Sequence, residues 1–128
     1  MALRDQIKMM VVDDMSTSRG LITQALDAMG VRQVGTASDG PGALEMLQKS
    51  PAHLVISDYN MPNMDGLQFL HALRSNPKTK SVGFILITGR ADREIIEAGR
   101  KLGMNNFLKK PFQPQDLKAC IETVVGRL

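Results

Sequence analysis

Short apolar runs alternate with segments of helical periodicity along the whole chain. The runs at residues 9–12, 34–37, 54–56, 84–87 and 106–108 have the length and composition of β-strands. Between and after them, apolar residues recur every three or four positions. These helical faces are predicted at Leu21, Ile22, Ala25, Leu26 and Met29; at Ala43, Met46 and Leu47; at Leu67, Leu70 and Leu73; at Ile95, Ile96 and Leu102; and at Leu117, Ile121, Val124, Val125 and Leu128. The pattern predicts five strands alternating with five helices.

Glycine, proline and aspartate residues indicate where these helices begin and end. Gly30 and Gly103 follow the first and fourth helices, in the position where a residue with positive φ often ends a helix. Pro41 and Pro114 are expected at the first helical positions of the second and fifth helices. An N–H group at that position has no partner within the helix, so a proline, which has no N–H, loses no hydrogen bond there. Asp92 is a candidate N-cap of the fourth helix.

Three of the predicted strands are continuous apolar runs rather than alternating patterns, namely those at 9–12, 54–56 and 84–87. Strands of this kind are buried on both faces, as in a parallel sheet covered by helices. Right-handed crossovers between parallel strands then place helices on both sides of the sheet. The sequence therefore predicts one domain over residues 1–128, a doubly wound (βα)5 α/β sandwich with a five-stranded parallel sheet and a flavodoxin-like architecture.

Composition excludes several classes of function. Of the 128 residues, 43% are hydrophobic and 23% are charged, which is typical of a globular domain. The formal net charge is +3, but no run of basic residues is longer than two, so nucleic-acid binding is not expected. No apolar run approaches the roughly 20 residues that span a bilayer, and the single Cys120 fits a reducing compartment. We expect a cytoplasmic monomer without membrane insertion.

Residues with reactive side chains follow the carboxyl ends of the predicted strands. Asp13 and Asp14 follow the first strand, Asp58 the third and Thr88 the fourth, and Lys110 comes shortly after the fifth. Each residue alone has an ordinary interpretation, such as a solvated turn for the aspartate pair. Because these ends share one edge of a parallel sheet, however, the five side chains should converge in one cleft.

Three carboxylates in one cleft repel one another, by roughly 4 kcal/mol per pair at an effective dielectric constant of about 20. A divalent cation relieves this repulsion, and oxygen ligands without His or Cys favour Mg²⁺ over zinc. A hard cation, an ammonium group and a hydroxyl together suit phosphoryl transfer, because they bind the charged phosphoryl oxygens. A carboxylate can itself be the nucleophile and form an acyl phosphate.

Four segments together resemble the response regulator receiver domain family. They are residues 11–14 (Val-Val-Asp-Asp), 58–66 (Asp-Tyr-Asn-Met-Pro-Asn-Met-Asp-Gly), 87–89 (Ile-Thr-Gly) and 110–112 (Lys-Pro-Phe). Each is modest alone, but their order and spacing are very specific and cover essentially the whole chain. The central segment is especially similar to the single-domain chemotaxis members, the CheY type. The resemblance implies a CheY-like fold and a stand-alone response regulator in a two-component phosphorelay.

The resemblance also implies the chemistry of the cleft. Asp58 would accept a phosphoryl group from a phosphohistidine, and Thr88 and Lys110 would bind the phosphoryl oxygens. The Lys110–Pro111 peptide bond would be cis. The protein would thus be a signalling phosphoacceptor that assists its own phosphorylation and autodephosphorylation, rather than an enzyme acting on other substrates.

A Mg²⁺ cofactor is implied at the same place. Asp14, Asp58 and the main-chain carbonyl of Asn60 would bind the ion directly, and Asp13 would hold a metal-bound water. Asn60 is also a position expected to tune the rate of dephosphorylation.

Signalling is expected to pass through a switch formed by Thr88 and Phe107. Phe107 would turn inward as Thr88 moves toward the phosphoryl group, and this would repack the face formed by the fourth predicted helix, the fifth strand and the fifth helix. The implied partners are a CheA-like histidine kinase as phosphodonor, and a FliM-like flagellar switch protein or a phosphatase.

Two positions depart from the close chemotaxis relatives. Phe107 stands where they often carry tyrosine, so no hydroxyl is present for a hydrogen bond in the inward state. Arg90 replaces an acidic residue, which predicts an altered rate of autodephosphorylation. Both differences favour, slightly, the alternative that the chain is a phosphate sink or relay receiver in the same or another pathway.

Two other functions are more distant alternatives. A Mg²⁺-dependent aspartyl phosphohydrolase would also place its nucleophile after a parallel strand, but it usually needs a second acid two residues later, where this chain has Asn60. A flavodoxin-like cofactor binder would need a phosphate-binding loop after the first strand, where Asp13 and Asp14 would repel phosphate.

Overall fold

A parallel β-sheet lies between two layers of helices in the computed structural model, which describes residues 2–89 and 93–128. The strands are β1 (Lys8–Val12), β2 (Gln33–Ala37), β3 (Leu54–Asp58), β4 (Gly83–Thr88) and β5 (Asn106–Lys109). They follow the order β2-β1-β3-β4-β5, and every neighbouring pair is parallel. The predicted flavodoxin-like sheet is confirmed.

Six helices lie within the described ranges. They are α1 (Leu3–Gln6), α2 (Ser16–Ala28), α3 (Gly40–Lys49), α4 (Gly66–Ser75), α5 (Arg93–Leu102) and α6 (Pro114–Val125). The last five are the predicted helices, whereas the single-turn α1 was not predicted and has no buried residue that would create a periodic signal. None of the helices in these ranges is long and apolar enough to cross a membrane.

Both faces of the sheet are covered, and each has its own apolar cluster. One cluster joins Val11 and Ile56 of the sheet with residues of α2 and α6, including Leu26. The other joins Val12 with residues of α3, α4 and α5, including Phe69. β3 is buried along its whole length, and β1 and β4 are buried except for their first residues. The inference that continuous apolar runs indicate burial on both faces is therefore confirmed.

Two residues that the periodicity placed on buried helical faces lie on the surface. Leu21 is 64% exposed and Met46 is 41% exposed. On α2 only Ile22 and Leu26 are fully buried, so the face that contacts the sheet is narrower than the apolar pattern. Leu128 is buried, as expected, but it lies beyond the end of α6 and so is not part of a helical face.

Most of the predicted helix boundaries agree with the structure. Gly30 and Gly103 follow α2 and α5 with φ of 87° and 93°, which glycine adopts without strain. Pro114 begins α6. Pro41 is the second residue of α3 rather than the first, because the Asp39 side chain caps this helix by accepting a backbone hydrogen bond at 2.8 Å.

Candidate functional site

The carboxyl edge of the sheet brings together the three aspartates that follow β1 and end β3. These two strands lie side by side where the strand order reverses, so the loops that leave them form a cleft. Asp13 and Asp58 are buried there, and Asp14 is exposed. One carboxylate oxygen from each lies within 4.8 Å of the others. The parallel sheet thus produces the cluster of charge that the strand ends predicted.

Asp13 is held firmly but keeps one oxygen unpaired. Its backbone N–H donates to the Ala37 carbonyl at 3.1 Å, and its Oδ1 accepts from the Met15 N–H at 3.0 Å. Its Oδ2 is buried and has no hydrogen-bond partner among the described residues. A buried polar atom without a partner costs about 1–3 kcal/mol. This oxygen, beside two further carboxylates, therefore suits the coordination of a hard divalent cation.

Asp58 forms an ion pair within the cleft. The Lys110 ammonium lies 2.9 Å from its Oδ1, with the two side chains 31% and 8% exposed, respectively. Burial raises the pKa of Asp58 above its ordinary value, and the nearby Asp13 carboxylate acts in the same direction. The hydrogen bond and charge of Lys110 lower the pKa but do not cancel the effect of burial. Lys110 therefore favours the ionised form of this buried carboxylate, and burial opposes it.

The ends of β4 and β5 place Thr88 and Lys110 at the same edge. Asp58 lies opposite Ile87 in the sheet register, so Thr88 is one residue beyond it and is buried. The Lys110 N–H donates to the Thr88 carbonyl at 2.9 Å, which continues the ladder beyond β5. The Lys110–Pro111 peptide bond is cis. Backbone pairing thus brings the lysine to Asp58 from a strand two positions away in the sheet.

The loop after Asp58 is packed closely against the site. The Tyr59 N–H donates to the Ile87 carbonyl at 2.8 Å, and the Gly66 N–H donates to the Tyr59 carbonyl at 2.8 Å. A β-carbon at Gly66 would lie 2.8 Å from the Asp58 carbonyl oxygen. Only glycine allows this approach, so Gly66 helps to fix the backbone that carries Asp58.

The remaining predicted site residues are Asn60, Phe107 and Arg90. Asn60 is exposed on the loop after Asp58. Phe107 is half-buried on β5, opposite Leu86, and packs against the cluster shared with α5. The Cys120 thiol donates to its carbonyl at 3.6 Å, which links β5 to α6. Arg90, like Asp92, lies outside the described residues.

One residue of the site was missed by the sequence reasoning. Arg19 of α2 donates from Nη1 to the main-chain carbonyl of Asp13 at 2.7 Å. A hydrogen bond to a main-chain atom leaves no signature in the apolar pattern or in the spacing of charged residues. The nearest signal in the sequence is that Arg19 is a cation at the fourth residue of the helix that follows the aspartate pair.

An apolar groove of about 610 Å³ borders the cleft on the side of α2. It is lined by Met15, Leu21, Ile22, Lys110, Phe112 and others. Lys110 is shared by the groove and the acidic cluster, so the two surfaces are continuous.

Taken together, the side chains offer a nucleophilic carboxylate, a cation against it and oxygen ligands for a metal. An ammonium 2.9 Å from a carboxylate can also bind an oxygen of an anion that attaches there. This set of groups can carry out phosphoryl transfer to a carboxylate.

Comparison with known proteins gives a consistent family. The model of the response regulator receiver domain matches residues 9–122. A probable chemotaxis protein CheY of Rhizobium etli is 45% identical over 128 residues, which are 100% of this chain and 99% of that protein. Chemotaxis protein CheY1 of Helicobacter pylori is 37% identical over 121 residues, which are 94% of this chain and 98% of that protein.

A solved structure agrees with these sequence relatives. The chemotaxis protein CheY4 of Vibrio cholerae has a TM-score of 0.88 at 32% sequence identity, covering 94% of this chain and 99% of that one. Similarity thus extends over nearly the full length of both chains in sequence and in fold.

Proposed function

This chain belongs to the response regulator receiver domain family, and we propose that it is a stand-alone chemotaxis response regulator whose phosphoacceptor is Asp58. The observation that carries the proposal is the buried carboxylate of Asp58, in contact with Lys110 at 2.9 Å and clustered with two further aspartates. Relatives named as chemotaxis proteins are matched over almost their whole length, which supports the stand-alone role.

In the proposed reaction, a carboxylate oxygen of Asp58 attacks the phosphorus of a phosphohistidine. A P–O bond forms, the P–N bond breaks, and the imidazole leaves with the electron pair of that bond. Lys110 neutralises charge on the phosphoryl oxygens, and the Thr88 hydroxyl donates to one of them. Burial of Asp58 excludes most water from the acceptor, and Gly66 keeps its backbone in place. Later attack by water on the acyl phosphate would release inorganic phosphate and restore the carboxylate.

Asp14, Asp58 and the main-chain carbonyl of Asn60 would hold Mg²⁺ directly, and Asp13 would hold a water bound to it. The unpaired Oδ2 of Asp13 and the purely oxygen donor set support this assignment. When bound, Mg²⁺ supplies positive charge that offsets the repulsion between the carboxylates and the incoming phosphoryl group.

The proposed output surface is the face formed by α5, β5 and α6. Phe107 supports this choice, because its side chain packs in the cluster that includes Ile95 of α5 and its carbonyl accepts from Cys120 of α6. A change at Thr88, at the end of the neighbouring strand, can therefore reach both helices through Phe107, α5 through its half-buried ring and α6 through its main-chain carbonyl. The phosphodonor would be a CheA-like histidine kinase, and the downstream target a FliM-like flagellar switch protein or a phosphatase.

Phosphotransfer from a purified, radiolabelled CheA-type kinase tests this function. We expect label to move to the wild-type chain only in the presence of Mg²⁺, not to move to Asp58→Asn, and to move much more slowly to Lys110→Met. Asp27→Asn, an exposed aspartate on α2 away from the cluster, is the control and should accept label like the wild type. Transfer to Asp58→Asn at the wild-type rate would overturn the assignment of the acceptor.

The phosphate-sink alternative predicts a different downstream result. A motor-binding regulator gains affinity for the flagellar switch protein when phosphorylated, whereas a sink accepts phosphate without that gain. Binding of the beryllofluoride-treated chain to an immobilised FliM-type protein separates the two roles, and the chemotaxis assignment requires an increase over the untreated chain.

A further inference from the structure

Arg19 contacts the acidic cluster through a main-chain oxygen of Asp13 rather than through a carboxylate. Arg19 is half-buried on α2 and directs a guanidinium N–H at the Asp13 carbonyl oxygen, 2.7 Å away. None of the ion pairs formed by the described residues includes Arg19. The guanidinium is thus bound to a neutral main-chain oxygen of a residue that belongs to the acidic cluster. Such charge-assisted hydrogen bonds are short and strong, so they fix the group that accepts them.

Three hydrogen bonds now converge on Asp13. Its N–H binds the Ala37 carbonyl, its carbonyl binds Arg19, and its Oδ1 binds the Met15 N–H. Together they fix both the backbone and the side chain of Asp13. Its buried Oδ2 has no partner among the described residues, and its carboxylate is one of the three that cluster at this edge.

We propose that Arg19 is a positioning residue for the metal-binding carboxylates. By holding the Asp13 carbonyl, it fixes the orientation in which Oδ2 is available to a divalent cation or to a water bound to that cation. This inference rests on the proposed Mg²⁺ site, and it assigns to Arg19 a role that acts through Asp13 rather than on the phosphoryl group.

Mg²⁺ binding without any phosphodonor tests the inference. The dissociation constant is measured by isothermal titration calorimetry for the wild type, Arg19→Met and Arg19→Gln. We expect binding to weaken roughly tenfold in both variants, as is typical when a group that orients a metal ligand is lost. Arg4→Met is the matched control, because Arg4 also donates to a main-chain carbonyl, that of Leu128 at 3.3 Å, far from the cluster. It should bind Mg²⁺ like the wild type.

Tighter Mg²⁺ binding by the Arg19 variants would indicate a different role for this residue. If Arg19 acted only as a nearby positive charge, its removal would reduce repulsion of the cation and Mg²⁺ would bind more tightly. Tighter or unchanged binding in a folded Arg19 variant overturns the inference, and Arg19→Gln provides the measurement if Arg19→Met does not fold. Lack of Mg²⁺ binding by the wild type would instead contradict the proposed function itself.

Discussion

At the residue scale, burial and a neighbouring cation act in opposite directions on the Asp58 carboxylate. Burial disfavours its ionised form, and Lys110 favours it. Because burial dominates, the metal-free protein holds a carboxylate whose ionisation costs stability. A second cation at the cluster would relieve that cost, and a nucleophile that is costly to keep ionised is well suited to react with an electrophilic phosphorus.

The raised pKa of Asp58 predicts that Asp58→Asn is more stable than the wild type in the absence of metal. The folded chain binds the proton of Asp58 more tightly than the unfolded chain, whose aspartates titrate at about 3.9. Folding therefore becomes less favourable as the pH rises through the interval between these two pKa values. In a chelating buffer, Asp58→Asn should melt a few degrees higher than the wild type at pH 7, and the difference should shrink toward pH 4.

Thermal unfolding followed by circular dichroism across this pH range provides the measurement. Asp27→Asn is the control, because it makes the same substitution at an exposed position on α2. A melting temperature of Asp58→Asn below that of the wild type at pH 7 would contradict the electrostatic account.

The close packing around Gly66 predicts that a larger residue there would displace the backbone of Asp58. Its missing β-carbon would meet the Asp58 carbonyl oxygen at 2.8 Å and a Leu86 methyl carbon at 2.7 Å. We expect Gly66→Ala to destabilise the fold by about 1–3 kcal/mol, the usual cost of overpacking, and to slow phosphorylation by displacing the Asp58 backbone. Urea unfolding and the rate of acetyl phosphate labelling measure the two effects. Gly20→Ala, on open α2 surface, should instead be neutral or stabilising.

At the scale of elements, helix caps hold the loops that surround the cleft. The Asp65 side chain accepts from the Leu67 and Gln68 N–H groups at 2.9 Å each, and the Gln68 side chain accepts from the Asp65 N–H at 2.9 Å. This capping box begins α4 at the end of the loop that follows Asp58. The cap therefore anchors the far end of that loop.

Removal of this cap should reduce stability without removing any reactive group. We expect Asp65→Ala to lower the free energy of unfolding by about 1 kcal/mol, the typical value of an N-cap. Met15→Ala is a useful control, because Met15 is the N-cap of α2 and makes no side-chain capping bond. Equal unfolding free energies for Asp65→Ala and the wild type would show that the capping box contributes nothing.

The sequence predicts these elements to different degrees, for physical reasons. β1, β3 and β4 are buried on both faces, so their continuous apolar runs identify them directly. The single-turn α1 buries no residue and has no periodicity. The cap at Asp39 is not evident from the sequence, because Pro41 alone predicts a helix that begins one residue later than α3 does. Leu21 follows the helical pattern yet lies on the surface, because periodicity does not show how wide a contact face is.

At the scale of the whole molecule, the site follows from topology more than from any local motif. Asp13, Asp58 and Thr88 are far apart in sequence, but parallel strands bring their carboxyl ends to one edge. Strand-end residues could therefore be predicted together. The 2.7 Å contact of Arg19 with a main-chain oxygen could not, because it depends on how α2 packs after β1.

Coupling across the molecule gives a further prediction. Addition of beryllofluoride, a phosphoryl mimic, with Mg²⁺ should shift the backbone amide resonances of Thr88 and Phe107 and those of α5 and α6, as phosphorylation repacks the α5, β5 and α6 face. Asp58→Asn should show no such shifts. Phe107→Ala should retain the shift at Thr88 and lose most of those in α5, because the ring that packs in the cluster with Ile95 is absent. The α6 shifts should change less, because the bond to Cys120 is made by the Phe107 main-chain carbonyl, which the variant keeps. Unaltered α5 shifts in Phe107→Ala would contradict the proposed route.

The most direct test of the central claim is the intact mass of the chain after incubation with acetyl phosphate. The measurement compares the wild type and Asp58→Asn, each with Mg²⁺ and with a chelator. We predict one added phosphoryl group in the wild type with Mg²⁺, and none in the other three samples. A phosphoryl adduct on Asp58→Asn, or one on the wild type that forms equally well in the chelator, would contradict the account of Asp58 as a Mg²⁺-dependent phosphoacceptor.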